Sequence, residues 1–306
     1  MPEASDVIVV SVGEGLVVFT PEPPRPLAEA QTFARSLGGA ELNVAIALQT
    51  AGVRSAVIGR VGDDGFGDFL LTELGRYGVD SSAIERDPHA PTGLYVKEIS
   101  PEASGIADRM HYYRSSSAGS LLSPDTLATP AALALIEQAR VVHTTGVTSA
   151  LSASALRAQE ELFLTRGGSG IRSFSVHWRP PLWLGREDVG RAALTGLARG
   201  ADVVFVSEAD ALSVFGATDA GALRALLPEP RHLVVIHPTG ATAFDGNTRA
   251  EAPPIGFRMI EPIGAEDAIA AGFLAGLVSG LSLEGSLARA NRLATRVMSS
   301  TRDHLG

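Results

Sequence analysis

The amino-acid sequence predicts a layered α/β fold built around a parallel sheet. Short runs rich in Val and Ile alternate with stretches of helical spacing through most of the chain. These runs lack a long polar alternation, which is typical of parallel strands that are covered on both faces. The chain has 306 residues, of which 45% are hydrophobic and 19% charged, and this suffices for one large domain or two smaller ones.

The strands are predicted to be separated by helices. Apolar residues between 66 and 77 follow helical spacing, and Gly78 is placed to end that helix. A second helix over 43–50 is expected to end near Gly52. The predicted strands lie at 7–12, 55–61, 141–144, 171–176, 203–207 and 233–237.

Two regions break this alternation. The segment 14–37 contains four prolines and cannot form a long helix. The segment 91–117 has the pattern of two strands around a turn rich in Gly, Ser and Pro. Because side chains alternate along a strand, Tyr112 and Arg114 share one face and Tyr113 takes the other. We expect both segments to form a small sheet that stands off the main body.

Composition excludes several classes of function. The formal net charge is −9, and an acidic chain without a basic tract is a poor binder of nucleic acid. The absence of cysteine excludes disulfides, zinc–thiolate centres, iron–sulfur clusters and thiol catalysis. The first residues have neither a basic start nor a long apolar core, and the uncharged run 268–283 is shorter than a membrane helix requires. We therefore expect a cytoplasmic protein with no membrane partner.

The strongest local signal for chemistry begins at Gly264. The sequence Gly264-Ala265-Glu266-Asp267 precedes a helix with a face of small residues, which allows a neighbouring backbone to approach closely. The start of such a helix exposes N–H groups and a positive dipole end, which suits a phosphate. Asp267 could accept the proton of a substrate hydroxyl, or it could only stabilise the first turn of the helix.

A second signal lies at Gly38-Gly39-Ala40-Glu41-Leu42-Asn43. Paired glycines let the backbone approach a small ligand closely, and the Asn43 amide can both donate to and accept from a sugar hydroxyl. The alternative is a tight turn with Asn43 as the N-cap of a helix.

Together these segments resemble the ribokinase-like (PfkB) carbohydrate kinases, and within them the 2-keto-3-deoxygluconate kinases. The resemblance rests on Gly38, Gly39, Asn43, Gly52 and Gly62 and on the runs GGAELNVAIAL, GRVGDDGFG, TGLYV, HYYRSSSAGS and PLW. It covers nearly the whole chain. It implies a single domain over 1–306 with three α/β/α layers, a central mostly parallel sheet and a small β-sheet lid over the sugar, with a homodimer formed through the lid.

The resemblance also implies a reaction, the transfer of the γ-phosphoryl group of ATP to a sugar hydroxyl. Asp267 would be the general base, and the backbone N–H groups of Gly264, Ala265, Glu266 and Asp267 would form an anion hole. Mg²⁺ would arrive with the nucleotide, so no metal site made by the protein alone is expected.

The resemblance also implies binding roles for further individual residues. A guanidinium at Arg114 and Arg179 suits a substrate carboxylate, although a lone Arg can also form a simple surface ion pair. Ser207 is expected near the nucleotide, or it caps a helix together with Asp210. The expected sugar-binding residues are Gly38, Gly39, Asn43, Tyr95, Tyr112, Arg114, Arg179 and Asp303. The expected nucleotide-binding residues are Ser207, Thr239, Gly240, Gly264 and Asn291.

Three departures from the family pattern bear on catalysis. Glu266 replaces a glycine, and a carboxylate beside the γ-phosphate repels it unless the charge is neutralised or points to solvent. If that position requires a positive φ, the side chain also adds strain. The turn 236–241 looks shorter than in the family and lacks the basic residue that the family has there. Ser175 and His177 stand where the family favours Asp and Asn.

These departures leave two main hypotheses, beside a kinase for a different substrate such as a nucleoside or a fructose derivative. The first is an ATP-dependent kinase of a sugar or a sugar acid with altered nucleotide contacts. The second is a protein of kinase fold that binds a sugar acid and transfers phosphate slowly or not at all.

Overall fold

The computed structural model describes residues 9–98, 109–165, 170–238, 240–252 and 264–298. Its strands form a nine-stranded sheet and a separate four-stranded sheet. The strands are β1 (Val9–Val12), β2 (Leu16–Pro21), β3 (Phe33–Gly38), β4 (Ser55–Gly62), β5 (Asp80–Asp87), β6 (Leu94–Glu98), β7 (Arg109–Tyr113), β8 (Val141–Thr145), β9 (Ile171–Ser175), β10 (Val203–Ser207), β11 (His232–His237), β12 (Gly240–Asp245) and β13 (Thr248–Ala252).

Helices occupy most of the chain between the strands of the large sheet. Helices α6 and α8 each continue into a π-helical turn, at Glu161–Thr165 and Ala211–Phe215. The helices are α1 (Ala40–Thr50), α2 (Gly65–Arg76), α3 (Pro124–Ala128), α4 (Pro130–Gln138), α5 (Gly146–Leu151), α6 (Ala153–Glu160), α7 (Glu187–Gly200), α8 (Glu208–Asp210), α9 (Ala220–Leu226), α10 (Ala265–Val278) and α11 (Leu283–Met298).

The large sheet is mostly parallel, as predicted. Its order is β13-β12-β11-β10-β9-β8-β1-β4-β5, and the seven strands from β11 to β5 run parallel. Strands β12 and β13 add an antiparallel edge. The carboxyl ends of β1, β8, β9 and β10 therefore meet at one edge, where ligands of such sheets bind.

Apolar side chains leave the sheet on both faces because alternate residues of a strand point in opposite directions. Val10 and Val12 pack toward α3, α4, α6, α7 and α9. Val9 packs on the other face, toward α1, α10 and α11, and α2 extends that layer. The three layers that the resemblance implied are confirmed.

The small-residue face of α10 has the predicted use. A Cβ atom on Gly272 would lie 2.5 Å from the Cα of Ala290, and one on Gly276 would lie 2.6 Å from the Cα of Ser286. Helix α11 therefore packs against α10 at backbone distance, which fixes the axis of α10 and the position of its first turn.

The four-stranded sheet, called the small sheet below, has the order β3-β2-β6-β7. Strand β2 pairs antiparallel with β3 and parallel with β6, and β7 closes the sheet antiparallel to β6. All four strands fall inside the two segments that break the α/β alternation. The function of this sheet as a lid and the assignment of a single domain remain predictions.

Three strands were absent from the sequence prediction. Strand β5 reads DSSAIERD and lies at one edge of the large sheet, while β12 and β13 form the other edge. Strands β5 and β13 are edge strands, which have fewer packed neighbours, so polar residues are tolerated there and the apolar signal is lost. Strand β12 lies inside the sheet and is buried, but its sequence GATAFD is rich in small residues and gives a weak apolar signal. None of the helices in the described ranges has the length and hydropathy needed to cross a membrane.

Candidate active site

A cavity of about 310 Å³ lies where the carboxyl edge of the large sheet meets the small sheet. Its walls come from the small sheet, from the first turns of α1 and α10, and from the segment after β9. The lining residues are Leu16, Gly39, Ala40, Asn43, Tyr95, Met110, Tyr112, Arg114, Val147, His177, Arg179, Gly264, Glu266 and Asp267. Nine of the predicted site residues are in this set.

Two glycines shape the backbone at the cavity. Gly39 has a φ of +116°, and a Cβ atom there would lie 2.3 Å from the Glu14 carbonyl oxygen. Gly264 has a φ of +79° and immediately precedes α10, with no side chain capping the helix. Both conformations favour glycine. The first N–H groups of α10 therefore have neither an intrahelical acceptor nor a side-chain cap, and they fit an anionic group.

Asp267 is buried and faces the cavity rather than capping its helix. Its Oδ2 atom accepts a hydrogen bond of 2.9 Å from the Asn43 Nδ2 atom. Its Oδ1 atom has no hydrogen-bond partner among the described residues. Asn43 lies inside α1, whose N-cap is Gly39, so the alternative in which Asn43 caps the helix is wrong. One carboxylate oxygen is thus fixed and the other is available to a substrate.

Glu266 points into the cavity and is partly neutralised there. The His177 Nε2 atom lies 3.1 Å from Glu266 Oε2 and 3.7 Å from Asp267 Oδ1. The Arg179 guanidinium is 3.8 Å from Glu266 and 3.9 Å from Asp210. Glu266 is not among the described residues with positive φ, so the left-handed strain considered for this position does not arise.

The pKa values of these groups follow from burial and charge. Burial raises the pKa of Asp267 above its ordinary value, and His177 and Asn43 only partly oppose that shift. Burial disfavours a charged His177, but the hydrogen bond and charge of Glu266 and the charge of Asp267 outweigh it and raise the pKa of the ring. Burial would raise the pKa of Glu266, yet His177 and Arg179 lower it to about 2. A carboxyl with a raised pKa is a stronger base.

Arg114 is held by a buried acid from the main body. Its guanidinium forms a short ion pair with Glu14, which also accepts a short hydrogen bond from Ser117. The Arg114 side chain is 11% exposed and still lines the cavity. Because Glu14 offsets its charge, Arg114 offers a substrate an N–H donor more than a net charge.

Aromatic rings from the small sheet complete the wall. The rings of Tyr95 and Tyr112 lie 5.2 Å apart, and Gly38 sits so close to Tyr95 that a Cβ there would be 2.8 Å from the ring. Tyr112 and Arg114 line the cavity together, while Tyr113 lines a different groove. The predicted division of this strand into two faces is confirmed.

Several other predicted residues within the described ranges do not line the cavity. Ser207 caps α8 by accepting a hydrogen bond of 3.2 Å from the Asp210 N–H, as the capping alternative expected. Gly240 begins β12 directly after the turn that follows β11, and Asn291 lies in α11. Ala265 is the first residue of α10 and does not line the cavity. Thr239 and Asp303 lie outside the described residues, and the roles predicted for all these residues remain predictions.

Three acids make contacts at or near the site that the sequence did not indicate, although Asp210 was considered as a capping partner of Ser207. Glu14 holds Arg114, Asp210 accepts a hydrogen bond of 3.0 Å from the Trp178 N–H, and Glu41 is buried against Thr145 and Thr148. Glu41 could have been noticed, because an acidic residue in an otherwise apolar helix turn needs buried partners.

A larger groove of about 560 Å³ lies at the opposite, amino-terminal edge of the sheet. Its charged residues form pairs, Arg172 with Asp202 and Arg231 with Asp245. It contains none of the predicted site residues, and the cavity beside Asp267 is the better candidate for catalysis.

Comparison with known proteins decides the class to which this site belongs. The profile of the pfkB family carbohydrate kinases matches residues 8–303. The chain belongs to the pfkB family of carbohydrate kinases. The predicted family and the predicted enzyme class, a sugar kinase, are confirmed, and membership of a kinase family does not favour the binding-protein hypothesis.

Two individual relatives and one solved structure show how far this similarity extends. The chain is 34% identical over 285 residues to a 2-dehydro-3-deoxygluconokinase of Thermoproteus tenax, a match that covers 92% of this chain and 85% of that protein. It is 32% identical over 204 residues to a probable fructokinase-3 of Arabidopsis thaliana, covering 66% of this chain and 57% of the relative. A Pyrococcus horikoshii sugar kinase, solved in complex with ATP, has the same fold, with a TM-score of 0.83, 24% identity and coverage of 97% and 94%.

Proposed function

We propose that this carbohydrate kinase transfers the γ-phosphoryl group of ATP to a hydroxyl of a sugar acid related to 2-keto-3-deoxygluconate. The observation that carries the proposal is the presence in one cavity of Asp267, whose buried Oδ1 has no hydrogen-bond partner among the described residues, and Arg179, whose side chain is 48% exposed. The first can bind a hydroxyl and the second a carboxylate. The similarity to a 2-dehydro-3-deoxygluconokinase supports the same class of acceptor.

The donor end of the site is the start of α10. The N–H groups after Gly264, at the positive end of the helix dipole, would hold the transferred phosphoryl group. Mg²⁺, when bound with the nucleotide, neutralises phosphate charge during transfer. Among the described residues, no cluster of three or more His, Cys, Asp or Glu is placed to hold a metal ion.

The reaction uses Asp267 as its base. The acceptor hydroxyl gives its proton to the Asp267 carboxylate, and the hydroxyl oxygen forms a bond to the γ-phosphorus. The bond from that phosphorus to the bridging oxygen breaks, and ADP leaves with the electron pair. Asn43 keeps the carboxylate oriented through its hydrogen bond to Oδ2.

Acceptor choice is tested with Arg179→Ala, measured by a coupled assay for ADP release. The panel contains 2-keto-3-deoxygluconate, gluconate, fructose and ribose. We expect kcat/KM for the acids to fall by about 10- to 100-fold, since a hydrogen bond to a charged group contributes about 1.5–3 kcal/mol. Neutral sugars should lose much less. Arg249→Ala, which removes an exposed arginine on β13, is the matched control and should behave as wild type.

Two results would reject this proposal. Equal losses for acidic and neutral acceptors would remove Arg179 from carboxylate recognition. A wild-type enzyme that phosphorylates fructose and ignores every acid would assign the cavity to neutral sugars, as the fructokinase relative would suggest.

A further inference from the structure

Acidic side chains surround the part of the cavity where the terminal phosphate of a nucleoside triphosphate would bind. Glu266 and Asp267 face it directly. Asp210 and Glu41 are buried close enough to Glu266 or His177 for their charges to interact. Each carboxylate repels a phosphate, so a working site needs cations that are fixed in place.

His177 makes the shortest contact between a cation and Glu266. Its ring is 6% exposed and donates from Nε2 to Glu266 Oε2 at 3.1 Å, with Asp267 Oδ1 at 3.7 Å. Arg179 reaches Glu266 only at 3.8 Å and is half exposed, so solvent screens it more. The orientation and the neutralisation of the Glu266 carboxylate therefore depend first on His177.

His177 makes this contact from a backbone conformation that is unfavourable for most residues. Its φ is +41°, and only two described non-glycine residues have a positive φ. This conformation is uncommon outside glycine but is adopted more readily by Asn, Asp and His. Its other ring nitrogen, Nδ1, is buried without a hydrogen-bond partner among the described residues. A ring that only filled space would not require this arrangement.

We propose that His177 is a positioning residue for phosphoryl transfer, acting as one unit with Glu266. The imidazolium holds and neutralises the Glu266 carboxylate, and the N–H groups at the start of α10 are thereby left to the phosphoryl group. The inference rests on the proposed function for its donor, ATP. It joins two departures from the family pattern, at positions 177 and 266, into one compensating pair.

The pair predicts a pH dependence of nucleotide binding. Since the charges of Glu266 and Asp267 outweigh burial and the charge of Arg179, the ring of His177 keeps its proton to a higher pH than a free histidine does. As pH rises through its raised pKa the ring loses its proton, Glu266 is left uncompensated, and affinity for Mg-ATP falls. The charged or titratable groups that face His177 are Glu266 and Asp267 from α10, Glu41 from α1, Asp210 from α8, His143 from β8 and Arg179 from its own segment.

The test compares wild type, His177→Asn, Glu266→Gln and the double variant. Asn tolerates the positive φ at 177, so the single variant is expected to fold, and thermal unfolding of all four proteins checks this. Binding of Mg-ATP is measured by titration calorimetry without any sugar, at pH 6, 7 and 9, and KM for ATP and kcat are measured alongside. The binding arm does not depend on the acceptor.

We expect His177→Asn to weaken Mg-ATP binding at least 10-fold at pH 6. Glu266→Gln should bind more tightly than wild type, and the double variant should recover at least 5-fold of the loss. The decline of affinity with pH should vanish in both proteins that lack His177, and it should be weaker in Glu266→Gln than in wild type. A merely structural role for His177 would not produce this rescue or this change in the pH profile.

The outcomes test the pairing of His177 with Glu266 separately from the proposed substrate. Equal losses from His177→Asn in the wild-type and Glu266→Gln backgrounds would overturn the pair, as would no loss, whatever sugars are phosphorylated. Rescue without phosphorylation of any sugar acid would uphold the pair and reject the proposed acceptor. Failure of both wild type and Glu266→Gln to bind Mg-ATP would reject the pair and the proposed donor together.

Discussion

At the scale of single residues, the site depends on which oxygen of Asp267 is occupied. Asn43 takes Oδ2 at 2.9 Å and leaves Oδ1 without a hydrogen-bond partner among the described residues. Burial raises the pKa of this carboxyl, which makes it a better base. The buried oxygen is costly to the folded protein unless a ligand pairs with it, and such a cost is typical of functional sites.

Replacing Asp267 with Asn tests its role as base. We expect kcat to fall by about 10²- to 10⁴-fold, the usual contribution of a positioned general base. Sugar affinity, measured by calorimetry, should change by less than about 3-fold because the shape and one hydrogen-bonding oxygen persist. Turnover equal to that of the wild type would remove Asp267 from the base role.

His177 should also make the stability of the protein depend on pH. A group whose pKa is raised in the folded state contributes stability that is complete below its unfolded pKa, about 6.5, and is lost as pH rises through the folded value. The difference in melting temperature between wild type and His177→Asn should therefore be largest near pH 6 and shrink by pH 9. We expect a difference of about 1–2 kcal/mol at pH 6, or about 2–4 °C.

A difference that grows with pH would contradict that assignment. Comparison with the variant is needed because other buried histidines act in the opposite direction. Burial lowers the pKa of His143 to about 3 and also lowers the pKa of His232. The contribution of His232 cancels in the difference, and that of His143 cancels in large part because burial is the larger cause of its shift and the charge of His177 the smaller.

At the scale of elements, α10 carries the catalytic turn and its position is set by α11. The two helices approach at backbone distance through Gly272 and Gly276. Such a contact leaves little freedom for the helix axis, so the N–H groups at Gly264 stay directed at the cavity. A substitution in the middle of α10, far from the cavity, should therefore change the position of the first turn of α10 at the site.

Gly272→Ala tests this coupling. The added Cβ would meet the Cα of Ala290 at 2.5 Å, so we expect a loss of about 1–3 kcal/mol from overpacking, read from urea unfolding, and a higher KM for ATP. The matched control is Gly196→Ala in α7, where a Cβ meets nothing within 4 Å. The control should gain about 0.4–1 kcal/mol. Equal effects of both changes would mean that the close approach has no role.

At the scale of the whole molecule, the cavity exists because two sheets meet over it. Glu14 follows β1 of the large sheet and binds Arg114, which follows β7 of the small sheet. The ion pair is buried, so it fixes the register of the two sheets more than it adds stability. The cavity wall formed by Tyr95, Tyr112 and Arg114 is thereby held over the first turns of α1 and α10.

The resemblance predicts that two copies associate through the small sheet. Phe33 and Tyr113, on its edge strands, are 41% and 64% exposed, and exposed aromatic residues are enriched in interfaces. We expect light scattering to give twice the chain mass of 31.8 kDa and Tyr113→Glu to shift the protein toward monomer. Leu184→Glu, at an 82% exposed residue elsewhere, is the control. A wild-type monomer at all concentrations would reject the dimer.

The sequence by itself determined the parallel framework, the two glycine turns and the family. Alternating apolar runs and backbone conformations that require glycine are local properties, and they are readable along the chain. The sequence did not predict the polar edge strand β5, because an edge strand needs little apolar surface.

Only the tertiary structure decided which charges meet. Asn43 and Asp267 are separated by 224 positions in the chain, and the ring of His177 lies between two carboxylates of α10 that no spacing rule connects to it. The sequence left open whether the charge of Glu266 is neutralised, and in the fold the His177 ring lies 3.1 Å from its carboxylate. Electrostatic energy depends on distance in space, and the approach of the segment after β9 to the first turn of α10 creates that distance.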